Sequence, residues 1–262
     1  MSTDKKDNWS FQWDAFKNDA SFFEDDLFLF KQWIYPNKLE DFSGKTALDC
    51  GYGRGQHLKM IAPYVKKAVG VDLNTADVAR EYLKEPNIEL LSGDIAAVSL
   101  PEKFDIVYSI GVLQHTDDPS RSFVNIKSQL KKGGRLMVWV YSREGNALNR
   151  FLVEPMKELV FKRLGRGALL AVSRAVAALL YLPVYTVYLL PLGFLPFYEY
   201  FANFRRLTFE KNYQNVFDKL NAPQTHFIGR ETVERWFKAD EFCDVHISSY
   251  LGVSWRASGT LK

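Results

Sequence analysis

The sequence predicts an open α/β fold, in which a mostly parallel β-sheet carries helices on both faces. Over residues 45–141, short apolar runs alternate with segments of helical periodicity, the pattern of β-α-β units. The chain has 262 residues, 47% apolar and 25% charged, which excludes a disordered tail, a collagen-like repeat and a coiled coil. At about 150 residues per domain, this length fits one large domain or one domain with a sizeable insertion.

Within this core, periodicity and helix-end residues define the elements. The predicted strands are 46–50, 68–73, 88–91, 104–110 and 135–141. Apolar residues repeat at helical spacing twice between them, as Leu58, Ile61, Ala62 and Val65 and as Phe123, Ile126 and Leu130. Three further signals mark helix ends: Asn74 as an N-cap, Asp118 with Pro119 as an N-cap and first residue, and Gly133 with Gly134 as a stop.

The segments around the core divide the chain into three parts. Residues 1–44 are predicted to be an N-terminal helical cap whose amphipathic helix, ended near Pro36, packs over one edge of the sheet. The alternation stops after residue 141 and resumes near Gly229 with a helix and strand patterns at 244–249 and 252–255. We therefore assign 45–141 and 227–262 to the core and 142–226 to an apolar helical insertion.

Charge and cysteine content constrain the class of protein. Lys plus Arg (34) exceed Asp plus Glu (31) by only three, so electrostatics offer no strong case for a nucleic-acid partner, and none is expected. Cys50 and Cys243 cannot form a four-cysteine zinc site, and without a secretory signal at the start of the chain we expect reduced thiols in a cytoplasmic protein. We expect no metal site.

The most informative stretch is the glycine-rich turn that follows the first predicted strand. Asp49 lies near the end of the strand, and Gly51, Gly53 and Gly55 let the backbone turn tightly and approach a ligand. The helix N-terminus that follows offers unpaired N–H groups to an anionic group. Asp72 lies 21 residues beyond Gly51, where a carboxylate accepts hydrogen bonds from ribose hydroxyls. The pattern indicates a nucleotide-like ligand.

The spacing of the turn disfavours two common nucleotide sites. Dinucleotide-binding turns of the form G-x-G-x-x-G need a third glycine where this chain has Gln56. The Gly-Lys-Ser/Thr of a phosphate-binding P-loop is absent from the sequence. Both NAD and ATP bound through a P-loop are therefore disfavoured.

Residues 48–55 resemble the first motif of class I S-adenosylmethionine (SAM)-dependent methyltransferases, Leu-Asp-x-Gly-x-Gly-x-Gly. The resemblance continues through 71–73, 93–95, 104–119 and 130–136, in order, and so covers the core from about 45 to 141. The chain is also similar to small-molecule methyltransferases of bacterial glycan and secondary-metabolite pathways, through a short segment at 217–226. The resemblance implies a Rossmann-like, seven-stranded, mostly parallel sheet and SAM as cofactor.

The resemblance also implies roles for individual residues. Gly51 and Gly53 would face the methionine part of SAM, Asp72 its ribose and Asp94 its adenine amino group. The other implied cofactor-binding residues are Leu73 and Ile95 on the adenine faces, Ser109 and Ile110 beneath the methionine end, and Asp49 and Gly55 within the motif.

Two arrangements could supply a general base for methylation of a hydroxyl. His115 lies just past the fourth strand at the carboxyl edge of the sheet, with an unperturbed pKa of about 6.5. Alternatively, Asp218 could orient His226 for proton abstraction, in a segment resembling one in the bacterial enzymes above. The competing interpretations are that His115 is structural, that Asp218 caps a turn and that His226 packs the insertion.

The absence of one motif limits the classes of acceptor molecule that the sequence predicts. No Asn/Asp-Pro-Pro-Tyr/Phe follows the fourth strand, so the chain does not resemble amino methyltransferases of DNA bases. We predict methyl transfer to a small-molecule, glycan or lipid-linked acceptor, most simply at a hydroxyl oxygen. The alternatives are a non-catalytic SAM-binding or membrane-recruited scaffold protein and an RNA or protein methyltransferase.

The insertion contains 24 uncharged residues, 175–198, enough by count to cross a bilayer. Pro183, Pro191 and Pro196 would interrupt a spanning helix, and a single pass would separate the last strands from the glycine turn. Two interpretations remain: a helical lid over an apolar acceptor pocket, and contact with the inner membrane surface through 157–206 as a peripheral protein. Basic residues support the second: Lys157, Lys162, Arg163, Arg166, Arg174, Arg205 and Arg206.

Overall fold

The structure is a computed structural model that describes residues 3–16 and 22–262. Residues 1, 2 and 17–21 of the predicted N-terminal cap lie outside the described residues, as do the side chains of residues 3–8. The described strands are β1 Thr46–Cys50, β2 Lys67–Asp72, β3 Ile88–Ser92, β4 Phe104–Ile110, β5 Leu130–Tyr141, β6 Phe242–Tyr250 and β7 Ser254–Leu261. They form one sheet in the order β3-β2-β1-β4-β5-β7-β6.

The sheet is mostly parallel, as predicted. Strands β1 to β5 pair in parallel, whereas β7 is antiparallel to both β5 and β6. The chain moves outward from β1 to β2 and β3 and then returns to place β4 on the other side of β1. The crevice beyond the carboxyl ends of the strands at such a reversal is where open α/β sheets bind ligands.

The described helices lie on both faces of the sheet and above its carboxyl edge. They are α1 Thr3–Ala15, α2 Phe22–Trp33, α3 Gln56–Ile61, α4 Ala76–Tyr82, α5 Pro119–Ser128, α6 Glu154–Leu159, α7 Arg166–Val184, α8 Tyr198–Phe204, α9 Phe209–Asn221 and α10 Arg230–Trp236. Alternate residues of the strands point to opposite faces of the sheet and pack into two different apolar clusters. Val107 packs in the cluster that contains α5 and α10, and Ile106 in the cluster that contains α2, α3 and α4.

Two predicted helix starts have different outcomes. Asp118 caps α5 as predicted, because its Oδ1 accepts the backbone N–H groups of Ser120 at 2.9 Å and Arg121 at 3.0 Å. Asn74 is not the N-cap of α4. That position belongs to Thr75, whose side chain makes no capping hydrogen bond, so the prediction was displaced by one residue.

The glycine pair predicted to stop α5 lies inside a strand. Helix α5 ends at Ser128, and β5 already begins at Leu130. Leu130 pairs with Phe104, whereas the next paired residues are Arg135 and Ile106, so residues 131–134 form an irregularity in the ladder. The glycines mark this irregular start of β5 rather than the end of a helix.

The N-terminal helix α2 covers a face of the sheet and not an edge as predicted. Phe30 and Ile34 pack with Ile106, Tyr108 and Met137 on the inner strands β4 and β5. This placement follows from the apolar stripe of α2, which needs an apolar face to cover.

Helices α6 to α9 lie within residues 142–226, here called the lid. A third apolar cluster joins α7 and α9 through Leu169, Ala177 and Phe217, and Phe16 and Phe22 of the N-terminal segment pack against it. The lid and the N-terminal segment thus form one packed layer. The three-part division itself stays a prediction.

Candidate active site

A cavity of about 410 Å³ lies beside the glycine turn at the carboxyl edge of the sheet; we call it the loop cavity. It brings together most of the predicted site residues, namely Gly51, Gly53, Asp72, Leu73, Asp94, Ile95, Ile110, His115 and Asp218. Helix α1 contributes Trp9, Gln12 and Trp13 to the wall. The cavity therefore combines residues from the ends of several strands with residues from the cap and the lid.

Two positions of the turn need glycine for geometric reasons. Gly51 has φ +98° and Gly53 has φ +56°, a backbone region that favours glycine. A Cβ at Gly51 would overlap the side chain of Val112, and one at Gly53 would lie 2.6 Å from Cε2 of Trp13. Bare backbone therefore lines the loop cavity here, and any side chain would reduce its volume.

Acidic side chains end two of the neighbouring strands. Asp72 accepts the backbone N–H of Gly53 through Oδ2 at 3.0 Å, which ties the end of β2 to the turn. Burial raises the pKa of Asp72, and the hydrogen bond from Gly53 opposes this shift. Asp94 accepts the N–H of Ala96 through Oδ1 at 2.9 Å and so shapes the loop after β3. Both carboxylates line the cavity.

Three predicted cofactor-binding residues lie outside the loop cavity. Asp49 is only 1% exposed, and burial raises its pKa well above the usual value. Ser109 donates its hydroxyl to the carbonyl of Cys50 at 2.9 Å, which holds the turn from beneath. Gly55 packs against Leu83 of the segment after α4. These residues support the turn rather than line the space beside it.

A charged cluster lies at one side of the same cavity. Asp26 of α2 pairs with Arg54 of the turn and, at 2.5 Å, with Lys211 of α9. Burial opposes the charge of Asp26, but Lys211 and Arg54 hold its pKa below the usual value. Burial lowers the pKa of His57 to about 4, so this histidine is neutral. Two cations and one anion leave an excess of one positive charge, which would attract an anionic group.

His115 is held in one tautomer by the backbone. Its Nδ1 lies 2.8 Å from the carbonyl oxygen of Gln224, and since a carbonyl only accepts, Nδ1 carries the proton in neutral His115. The lone pair is then on Nε2. Burial lowers the pKa of His115, while the carboxylate of Asp218 opposes the shift. Near neutral pH the ring is therefore neutral, with Nε2 free to accept a proton.

Asp218 does not orient His226. Its Oδ1 accepts from Nε2 of Gln12 at 2.8 Å, and its Oδ2 accepts from the hydroxyl of Tyr141 at 3.1 Å. The His226 side chain is exposed, and its backbone N–H donates to the carbonyl of Gln114 at 2.8 Å. The predicted pair is therefore not formed in the described residues, because Tyr141 and Gln12 occupy the carboxylate. His226 contributes backbone pairing near His115.

A second cavity, of about 420 Å³, lies between the lid and the ends of β5 and β7; we call it the lid cavity. Its wall is mostly apolar and includes Val176, Leu180, Phe201, Phe204 and Leu220. The two cavities share five residues: Trp33, His115, Trp139, Tyr141 and Asn215. His115 and Tyr141 thus line both the loop cavity and the more apolar lid cavity.

Comparison with known families decides which class of domain this is. Residues 48–138 match the family model described as a methyltransferase domain, Methyltransf_11. This segment is a class I methyltransferase domain. The prediction of a SAM-dependent methyltransferase, with SAM as its cofactor, is confirmed at the level of this domain. The matched residues include the glycine turn, Asp72, Asp94 and His115.

Curated relatives of the methyltransferase domain are tRNA U34 carboxymethyltransferases. That of Pseudoalteromonas translucida (strain TAC 125) is 32% identical over 114 residues, covering 41% of this chain and 35% of the relative. That of Klebsiella pneumoniae (strain 342) is 35% identical over 115 residues, covering 41% and 34%. The chain spans about a third of the length of these relatives.

Solved structures show likeness in fold over nearly the whole chain. The N-methyltransferase NodS from Bradyrhizobium japonicum WM9 aligns with a TM-score of 0.52 at 14% identity, covering 97% of this chain and 98% of that one. An O-methyltransferase family protein from Burkholderia thailandensis aligns with a TM-score of 0.55 at 11% identity, covering 95% and 59%. At such identities the likeness extends to the fold alone.

The expectation that nucleic acid is not a partner is wrong. It rested on the small net charge of +3, whereas the curated relatives of the domain are named as tRNA-modifying enzymes. Net charge averages over the whole surface, so it does not report on a local binding surface.

Sequence reasoning missed several residues around the methyltransferase site. Tyr141 lies at the carboxyl end of β5, so the strand-end rule that singled out His115 would also have found it. Trp33 and Trp139 pack at a centroid distance of 4.6 Å in the wall shared by both cavities. Trp139 is partly buried and its Nε1 donates to Ser254. Lys211 and Gln12 belong to no recognisable sequence motif. They reach the loop cavity only because the lid and the N-terminal cap pack over the sheet.

Proposed function

We propose that this chain transfers the methyl group of SAM to a hydroxyl oxygen of a small-molecule, glycan or lipid-linked acceptor, with His115 as general base. The observation that supports it is the position of His115, in the wall common to the loop cavity and the lid cavity. When bound, SAM supplies a methyl group already activated by a sulfonium. The chain then has to align the acceptor and remove a proton.

The loop cavity fits a molecule of this kind. Bare backbone at Gly51 and Gly53 lines this cavity, and a Cβ at either position would overlap Val112 or Trp13 in its wall. We propose that these glycines contact the methionine part and that Asp72 binds the ribose. The excess positive charge of the cluster formed by Asp26, Arg54 and Lys211 suits the carboxylate of the methionine part. At the other end, Asp94, Leu73 and Ile95 would surround the adenine.

The neighbours of His115 suit it to accept a proton. The Gln224 carbonyl holds the proton on Nδ1, leaving Nε2 for the hydroxyl of the acceptor. An imidazolium in this buried position would be unfavourable without a counter-charge. The carboxylate of Asp218, fixed by Tyr141 and Gln12, supplies that charge. Asp218 is thus a positioning and electrostatic residue rather than the partner of His226.

Turnover with a panel of acceptors tests this proposal. The protein is incubated with SAM and with hydroxylated small molecules, glycans, lipid-linked saccharides or RNA, and S-adenosylhomocysteine is measured. We expect product with an acceptor of the first three kinds and loss of product in His115→Ala. S-adenosylhomocysteine binding without product across the whole panel would contradict the proposal and favour a non-catalytic SAM-binding scaffold.

An RNA acceptor is the second candidate, favoured by the names of the curated relatives. Binding to RNA depends steeply on salt, because phosphate contacts release counterions. Product formed only with RNA, with binding that weakens strongly as salt increases, would establish this candidate over the first. Product formed on a small acceptor in the absence of RNA would show that the reaction does not need RNA.

We also propose that the protein is cytoplasmic and contacts the inner membrane surface through the lid. Helix α7, Arg166–Val184, is long and apolar enough to cross a membrane, but one of its faces packs on α9. Its other face leaves Leu179 and Leu182 each 72% exposed, and Phe194 beyond it is 82% exposed. Lys162 and Arg163, just before the start of α7, are exposed, whereas Lys157 is buried and paired with Glu154. An exposed apolar surface flanked by basic groups suits an anionic interface.

Sedimentation with anionic liposomes at low salt tests the membrane contact. We expect the wild type to pellet with the vesicles and Leu182→Glu to stay in the supernatant, because a carboxylate would enter the apolar interface. Val124→Glu is the matched control. Val124 is 57% exposed and lies on α5, outside the lid. Wild-type protein that remains in the supernatant would contradict the contact.

A further inference from the structure

The lid cavity contains a lysine that makes no ion pair with a carboxylate among the described residues. Lys219, on α9, lines this mostly apolar cavity together with Glu154, whose carboxylate pairs with Lys157. We infer that the acceptor is an amphiphile, an apolar body bearing a carboxylate or phosphate, and that Lys219 binds its anionic group. This inference rests on the proposed function, because it assumes that the acceptor occupies the lid cavity.

Lys219 is partly buried, and it differs in one respect from two buried lysines of the lid. Lys157 is fully buried and pairs with Glu154 at 2.5 Å, and Lys211 pairs with Asp26 at 2.5 Å. Over residues 3–16 and 22–262, Lys219 has no ion pair with a carboxylate. Charged groups removed from water normally have a partner of opposite charge. An anionic group of a ligand would give Lys219 the ion pair that no carboxylate of the described residues provides.

The protein's own contacts hold Lys219 in place without neutralising it. Its Nζ donates to the hydroxyl of Tyr200 at 3.0 Å and lies 5.0 Å from the centroid of that ring. The centroid of the Tyr141 ring is 6.0 Å from the same Nζ. The carboxylate of Asp218 attracts this ammonium without an ion pair, because its two oxygens accept from Gln12 and Tyr141. The ammonium is therefore held near two aromatic rings, which attract its charge but do not neutralise it.

The remainder of the lid cavity accounts for the apolar body of the ligand. Val176 and Leu180 of α7, Phe201 and Phe204 of α8 and Leu220 of α9 face this space. Its volume of about 420 Å³ falls in the range of small-molecule sites, about 300–1,000 Å³. His115 lines the same cavity, so a ligand anchored by Lys219 and by these walls has access to the proposed base.

Binding of single-chain amphiphiles tests the inference without knowledge of the natural acceptor. Laurate, dodecyl phosphate, dodecyltrimethylammonium and dodecyl maltoside are titrated below their micelle concentrations into the full chain. We expect the two anions to bind the wild type at least tenfold more tightly than the cation or the neutral maltoside. The difference between laurate and dodecyl phosphate then identifies which anionic group the site prefers.

Two pairs of variants make the result specific. Lys219→Gln should lose the preference for anions and keep binding of the maltoside, whereas Lys162→Gln, at an exposed lid lysine, should bind all four as the wild type does. Leu180→Trp should weaken every amphiphile by filling the cavity, and Leu179→Trp, at the exposed neighbour, should not. Melting curves show whether each variant is folded.

The outcomes separate this inference from the proposed function. Equal affinity for all four head groups, or a preference for anions that survives in Lys219→Gln, overturns the inference. S-adenosylhomocysteine binding and turnover are measured on the same preparations. Dependence of anion binding on Lys219 without any turnover would contradict the proposed function and leave the anion site standing.

Discussion

Replacing His115 by alanine lowers kcat for methyl transfer by about a hundredfold or more if this residue is the general base. The variant loses Nε2, the acceptor that the hydrogen bond between Nδ1 and Gln224 leaves available. Cofactor affinity should change much less, because the predicted cofactor contacts come from the glycine turn and from the ends of β2 and β3. Turnover and S-adenosylhomocysteine titration on the same preparation check both statements.

The pH profile distinguishes a base from a structural histidine. Burial lowers the pKa of His115 below its ordinary value of 6.5, so kcat/KM should rise with pH through a midpoint below 6.5 and then level off. Asp218 raises that pKa, so removing its charge in Asp218→Asn should move the midpoint to lower pH. A wild-type rate in His115→Ala, or a midpoint unmoved in Asp218→Asn, would remove His115 from this role.

Replacing Asp72 by alanine weakens cofactor binding by about 1.5–3 kcal/mol, the scale of hydrogen bonds to a charged group. At 1.4 kcal/mol per factor of ten, this is roughly a 10- to 150-fold loss of affinity. Two effects combine: the carboxylate proposed to bind the ribose is lost, and so is the acceptor for the N–H of Gly53. Calorimetric titration with S-adenosylhomocysteine measures the change.

A nearby acid offers the matched control for Asp72. Asp77, in the first turn of α4, has a side chain that is 99% exposed and pairs with Arg80. Asp77→Ala should bind S-adenosylhomocysteine as the wild type does. Affinity in Asp72→Ala equal to that of the control would mean that the end of β2 does not bind the cofactor.

The core of the fold could be predicted because its signals are local. Strand β1 and strand β4 have the predicted bounds, since a buried parallel strand is a continuous apolar run that ends at a turn. The start of β5 could not be predicted. Leu130 pairs with Phe104 across an irregular stretch that contains two lysines and two glycines, residues that are uncommon in strands.

The candidate site was only partly accessible to sequence reasoning, for a similar reason. Gly51 and Asp72 belong to a motif within one β-α-β unit, so their proximity follows from the local fold. The contacts of Asp218 do not follow from the local fold, because Gln12 is 206 residues and Tyr141 77 residues away in the sequence. Such contacts depend on how the cap and the lid pack over the sheet, and no periodicity encodes that packing. The proposed pairing with His226 failed because it assumed a partner close in sequence.

The central claim is that the glycine turn and Asp72 bind SAM. Calorimetric titration of the wild-type chain, with S-adenosylhomocysteine and with NADH in separate experiments, tests it most directly. We predict saturable binding of one equivalent of S-adenosylhomocysteine and no heat of binding with NADH. Saturable binding of NADH, or no binding of S-adenosylhomocysteine, would contradict the claim.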